Sequence, residues 1–172
     1  MDQTAFDEIV AEVGRDLVAQ MAPAELILYR AKSEAFFQDR QTGHKKAKQK
    51  DEMLGLGTAE TVAFLTPVIL EALYAVVKII GAEAAKRLGR DAGDLLSSAI
   101  RKLFKRSAPA GAKSVEISGL TPEQLAQAHA AAVAAVLKWD RSPDQAGQIA
   151  DVIVANLAMA SEVKPLDRPQ PS

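Results

Sequence analysis

There is no cysteine in this chain. That excludes a disulfide framework, a thiolate-bound zinc and a cysteine nucleophile, and it fits a reducing cytoplasm. Aromatic residues make up only 5% of the sequence, so the side chains that favour strands are scarce. Histidine occurs twice, at His44 and His129, which gives no pair at metal-ligand spacing and no Glu-x-x-His element. Gly55-Leu56-Gly57-Thr58 is the nearest approach to a phosphate nest, but it lacks the lysine and the preceding strand. No serine has a base at a telling spacing. These gaps together predict a non-enzymatic protein without a metal or cofactor. His129, four residues after Leu125, borders an apolar face; it reads as a packed or edge histidine, with pH sensing as its functional alternative.

What is present favours helix. Hydrophobic residues are 48% of the 172, dominated by Ala, Leu, Val and Ile, while 25% are charged. These are globular values, and Ala and Leu are strong helix formers. An all-α bundle of five to six helices follows, with at most one short strand at 115–118. The acidic N-terminus, Met1-Asp2-Gln3-Thr4, leads into no apolar run, so no secretory signal is expected and the cytoplasm is the default location.

Helical spacing of Phe6, Ile9, Val10, Val13, Leu17 and Met21 predicts a first helix from Thr4 to about Ala22. Pro23 suits the first turn of a second, and the pattern stops near Thr42-Gly43. Residues 62–82 form the apolar centre of a bundle spanning 1–106, which ends in a basic amphipathic helix at 91–106. Residues 107–120 form a linker or short strand. Thr121-Pro122-Glu123-Gln124 and Ser142-Pro143-Asp144-Gln145 use one capping device twice, predicting a helical hairpin over 121–160. The proline-bearing tail, 161–172, is expected to be disordered.

The net charge of −1 hides alternating blocks. Residues 1–39 carry eight acids against three bases, and 40–50 carry five bases and no acid. Residues 51–85 are acidic again, and 86–106 carry seven bases against two acids. Two basic blocks therefore flank the most apolar stretch.

That stretch, 62–82, has the length of a bilayer core and eleven Leu, Ile, Val and Phe residues. They favour insertion by about 3–7 kcal/mol, while Glu71 and Lys78 oppose it by about 5–7 kcal/mol. Near-balance leaves two readings. In one, 62–82 is a core helix, and Glu71, Tyr74 and Lys78 share a stripe facing water or a polar seam. In the other it inserts conditionally, through Phe64, Leu65, Ile69, Leu70, Glu71, Leu73, Lys78, Ile79 and Ile80, with Glu71 lining a pore or pairing between subunits.

Within 91–106, apolar pairs alternate with polar ones, so one face is cationic. Arg101, Lys102, Lys105 and Arg106 would meet anionic lipid or a protein partner while Leu103 and Phe104 dip into the acyl boundary. The plain alternative is a bundle helix with a basic solvated face. Lys45, Lys46 and Lys48 are either a solvated linker or a second anionic contact. Nucleic acid is disfavoured, because the bases lack interleaved aromatics. The leading expectation is a membrane-associating homo-oligomer, a pore-forming toxin or cell-death effector. The alternative is a soluble adaptor acting through protein interfaces.

Overall fold

The computed structural model describes residues 3–42, 64–88, 93–104 and 120–161. Helix α1 (Gln3–Met21) is followed by a 3-10 turn (Pro23–Leu28) and α2 (Tyr29–Gln41). Then come α3 (Leu65–Leu88), α4 (Gly93–Leu103), α5 (Pro122–Leu137) and α6 (Pro143–Ser161). The described residues are 90% helical with no strand among them, and the helices pack on one another as an all-α bundle.

Helix α3 is the hub. Its residues Val68, Ile69, Leu70, Leu73, Val76 and Val77 are fully buried among side chains of the other helices. Pro67 is the third residue of α3, where its missing N–H costs no intrahelical bond, so no kink is required. Glu71 and Tyr74 are half-buried and Lys78 is exposed, so the stripe read from the sequence is the polar side of an otherwise apolar helix.

Two local devices fix the arrangement. Gly14 lets α1 approach α3: a Cβ there would lie 2.5 Å from Leu70 Cδ2 and 2.9 Å from Tyr29 Oη. The Tyr29 hydroxyl donates to the Ala11 carbonyl at 2.5 Å, and burial pushes its phenol well above the ordinary range. At the start of α5 the expected cap is complete: the Gln124 N–H donates to Thr121 Oγ1, and the Thr121 N–H to Gln124 Oε1. At α6 the Gln145 N–H donates to Ser142 Oγ at 3.2 Å. Between these helices Asp140 takes φ 54°, a left-handed conformation that its short side chain tolerates.

The predicted helix at 4–22 corresponds to α1. The second differs: Pro23 opens a 3-10 turn, and the α-helix starts only at Tyr29. The expected strand at 115–118, the linker through 119 and the tail from 162 lie outside the described residues; Leu120 packs against the core, and Ser161, expected to open the disordered tail, is the last residue of α6.

Candidate functional site

Helix α3 contains one 22-residue stretch, Leu65–Lys86, long and apolar enough to cross a membrane by length and composition, and just over half of its most apolar window is buried. Length and apolarity describe the core helix of a soluble bundle equally well. What distinguishes α3 is how its start and its charge are held.

The start of α3 is fastened from three directions. Both carboxylate oxygens of Glu25, in the 3-10 turn, face the helix's orphan donors. The Leu65 N–H reaches Oε1 at 2.7 Å, while the Thr66 N–H and hydroxyl reach Oε2 at 2.8 and 2.6 Å. An anion at a helix N-terminus satisfies unpaired N–H groups and opposes the positive end of the dipole. From α2, Lys32 Nζ stands 2.9 Å from the Phe64 ring centroid. From the α5–α6 turn, Arg141 Nη2 donates to the Phe64 carbonyl at 3.3 Å.

The charge at mid-helix is neutralised by another element. The Glu71 side chain is 12% exposed and accepts from Arg40, near the end of α2. The same guanidinium lies 3.6 Å from the Tyr74 ring centroid, and Tyr74 packs on Phe6 at 4.7 Å. Gln3 Nε2 donates to the Tyr74 hydroxyl at 3.2 Å. A carboxylate this far from water is costly unless paired, and the planar guanidinium answers both the carboxylate and the ring.

The other candidate residues of α3 divide by face. Ile69, Leu70, Leu73 and Ile80 are buried; Phe64, Leu65 and Ile79 are half-buried; Lys78 is exposed. In this fold Ile69, Leu70, Leu73 and Ile80 line the core and Lys78 faces outward.

Helix α4 departs from the expected orientation. Arg101 belongs to no cationic outer face: its side chain is 9% exposed and is held by Glu12, with Glu8 at 3.7 Å. Leu103 and Phe104 are buried in the core. Lys102 alone of the described four is exposed. The reason is register: Arg101 flanks the apolar stripe three residues after buried Ser98 and three before Phe104, facing two acids on one side of α1. Lys105, Arg106, Lys45, Lys46 and Lys48 lie outside the described residues, as does His44. Glu8 and Glu12 stand four apart, which is a readable signal; their partner helix is not readable from spacing.

His129 sits on α5 with Nε2 3.0 Å from Asp151 Oδ1 of α6, both exposed enough to meet water. Among the described residues no group of three or more His, Asp or Glu side chains could hold a metal ion. Sequence spacing gives Glu25, Lys32 and Arg141 no role, because their partners lie more than 30 positions away. No family model, curated protein sequence or solved structure matches the chain.

Proposed function

We propose that this chain is a non-enzymatic, membrane-associating helical protein that keeps a span-length apolar helix folded away until it opens. The observation that carries this reading is the treatment of α3: apolar over 22 residues, with its one mid-helix acid neutralised by Arg40 from a different helix. Such a charge obstructs insertion and is tolerable in the closed bundle, so the Arg40–Glu71 pair favours the soluble form. In the opened form α3 enters lipid, and α4 turns its bases toward anionic headgroups. That second contact requires α4 to leave the bundle, since Arg101, Leu103 and Phe104 are committed to the core. Oligomerisation of opened chains and leakage of the bilayer, as in a toxin or cell-death effector acting from the cytoplasm, complete the reading.

The test is co-flotation of purified protein with anionic and with neutral vesicles, with release of trapped dye followed in parallel. Flotation and release that grow in Glu71→Leu support the reading. Protein that stays in the soluble fraction with every vesicle, in both forms, ends it. The second reading, a soluble adaptor or assembly component, is favoured by one observation: Val68, Ile69, Leu70 and Leu73 are fully buried, as in a permanent core helix. In that case Glu71→Leu changes stability alone.

A further inference from the structure

We propose that opening of the bundle is driven by a proton and that Glu71 is the group that takes it, so that acid moves the chain from the closed form to the membrane. This rests on the membrane-associating reading and adds to it the trigger.

The two forms treat the Glu71 carboxyl in opposite ways. In the bundle its side chain is 12% exposed and its negative charge is answered by the Arg40 guanidinium of α2. Acid and base stand on different helices, so α3 cannot leave α2 for lipid without separating them. A carboxylate without its partner is costly in hydrocarbon, and the neutral carboxyl far less so. The helix therefore enters lipid with Glu71 neutral, and each insertion takes up one proton from solution. The closed form holds fewer protons than the open one. By linkage the balance moves toward the open form as pH falls.

Arg40 tolerates the loss of its anion. Its side chain is 34% exposed and its guanidinium lies 3.6 Å from the Tyr74 ring centroid, so a neutral Glu71 leaves behind a base that reaches water and keeps its aromatic contact. At Arg101 the reverse holds. That base is buried and is answered by Glu12 with Glu8 at 3.7 Å, so a proton on either acid leaves the other in place. The other charged groups on the helices around α3 are engaged away from Glu71. Lys32 of α2 stands over Phe64, Asp7 of α1 accepts from Gln3 at 2.7 Å, and His129 of α5 lies 3.0 Å from Asp151 of α6. Lys78, two turns further along α3, is exposed.

The test floats full-length protein with vesicles of phosphatidylcholine and phosphatidylglycerol, at fixed composition, between about pH 7.5 and about pH 5. Partitioning is expected to rise about tenfold for each unit the pH falls, the mark of a single proton. Glu71→Gln keeps the shape of the side chain and an oxygen for Arg40. It is expected to abolish the slope and to float at neutral pH as the wild type does in acid. Arg40→Gln leaves Glu71 able to titrate, so the slope stays and partitioning is higher throughout. Wild-type flotation that is equal at every pH overturns the proposal and leaves the membrane reading standing. So does a slope that persists in Glu71→Gln, which assigns the proton to other groups, and so does Glu71→Gln protein that stays soluble where acidified wild type floats. Failure of all three proteins to float at any pH overturns proposal and reading together.

Discussion

Arg101 of α4 reaches back to Glu12 of α1, so a base of this helix points into the bundle beside its buried apolar residues. Without that contact, Arg101 would join Lys102 on the outer face; with it, the Arg101 charge is answered inside the protein. Arg101→Ala is expected to destabilise the fold by about 1–3 kcal/mol, because a charge-assisted bond to a buried donor is lost. The shift in Tm, about 2–4 °C per kcal/mol for a chain of this size, measures it. In an Arg101→Ala, Glu12→Ala double variant the losses are not additive, since both remove the same contact.

Glu71 carries the sharpest functional consequence. Glu71→Leu removes the acid opposing insertion, which on a transfer scale moves α3 toward lipid by about 3 kcal/mol. Vesicle partitioning reads that change directly. Arg40→Ala does something different: it removes the Arg40 bond from a mostly buried carboxylate and is expected to lower folding stability by about 1–3 kcal/mol. Thermal unfolding separates the two variants.

Gly14 and Gly147 make a matched pair. An alanine at 14 must displace Leu70 and the Tyr29 hydroxyl, an overpacking that costs about 1–3 kcal/mol and outweighs the propensity gain of at most ~1 kcal/mol. At Gly147 a Cβ meets nothing within 4 Å, so Gly147→Ala is expected to stabilise by about 0.5–1 kcal/mol. Chemical denaturation of the two variants, side by side, shows opposite signs.

Alkaline pH tests the burial of Tyr29. Its folded-state pKa lies above the unfolded value of 10.0, so between the two the unfolded chain has released a proton that the folded chain retains. Stability is therefore unaffected below about pH 10 and falls above it, by up to about 1.4 kcal/mol per pH unit. Tyr29→Phe loses the bond to Ala11 at neutral pH but lacks this alkaline fall. Urea midpoints across the alkaline range compare them.

The local features of the fold were legible because they depend on neighbours in sequence. The spacing from Phe6 to Met21 marks α1, and Thr121 with Gln124 marks the start of α5 to the residue. Pro23 misled, because proline at a first turn fits a 3-10 turn as well as an α-helix. The candidate site was legible only in part. Composition located α3 and its charged stripe, but Arg40 could be counted only as one of a run of bases. Its meaning depends on α2 running alongside α3, a tertiary fact that no short-range pattern encodes. Arg101 shows the same limit. A base at the edge of an apolar stripe points inward or outward according to what the facing helix offers, and Glu8 and Glu12 decide it.

The grip of Glu25 on Leu65 and Thr66 has a consequence for how freely the chain can be rewritten. The beginning of α3 is set by a carboxylate some 40 positions upstream, rather than by the residues that lead into it. Glu25 and the first turn of α3 therefore cannot be changed independently: Glu25→Ala leaves every residue of α3 in place and still takes away the anion that answers the Leu65 and Thr66 amides.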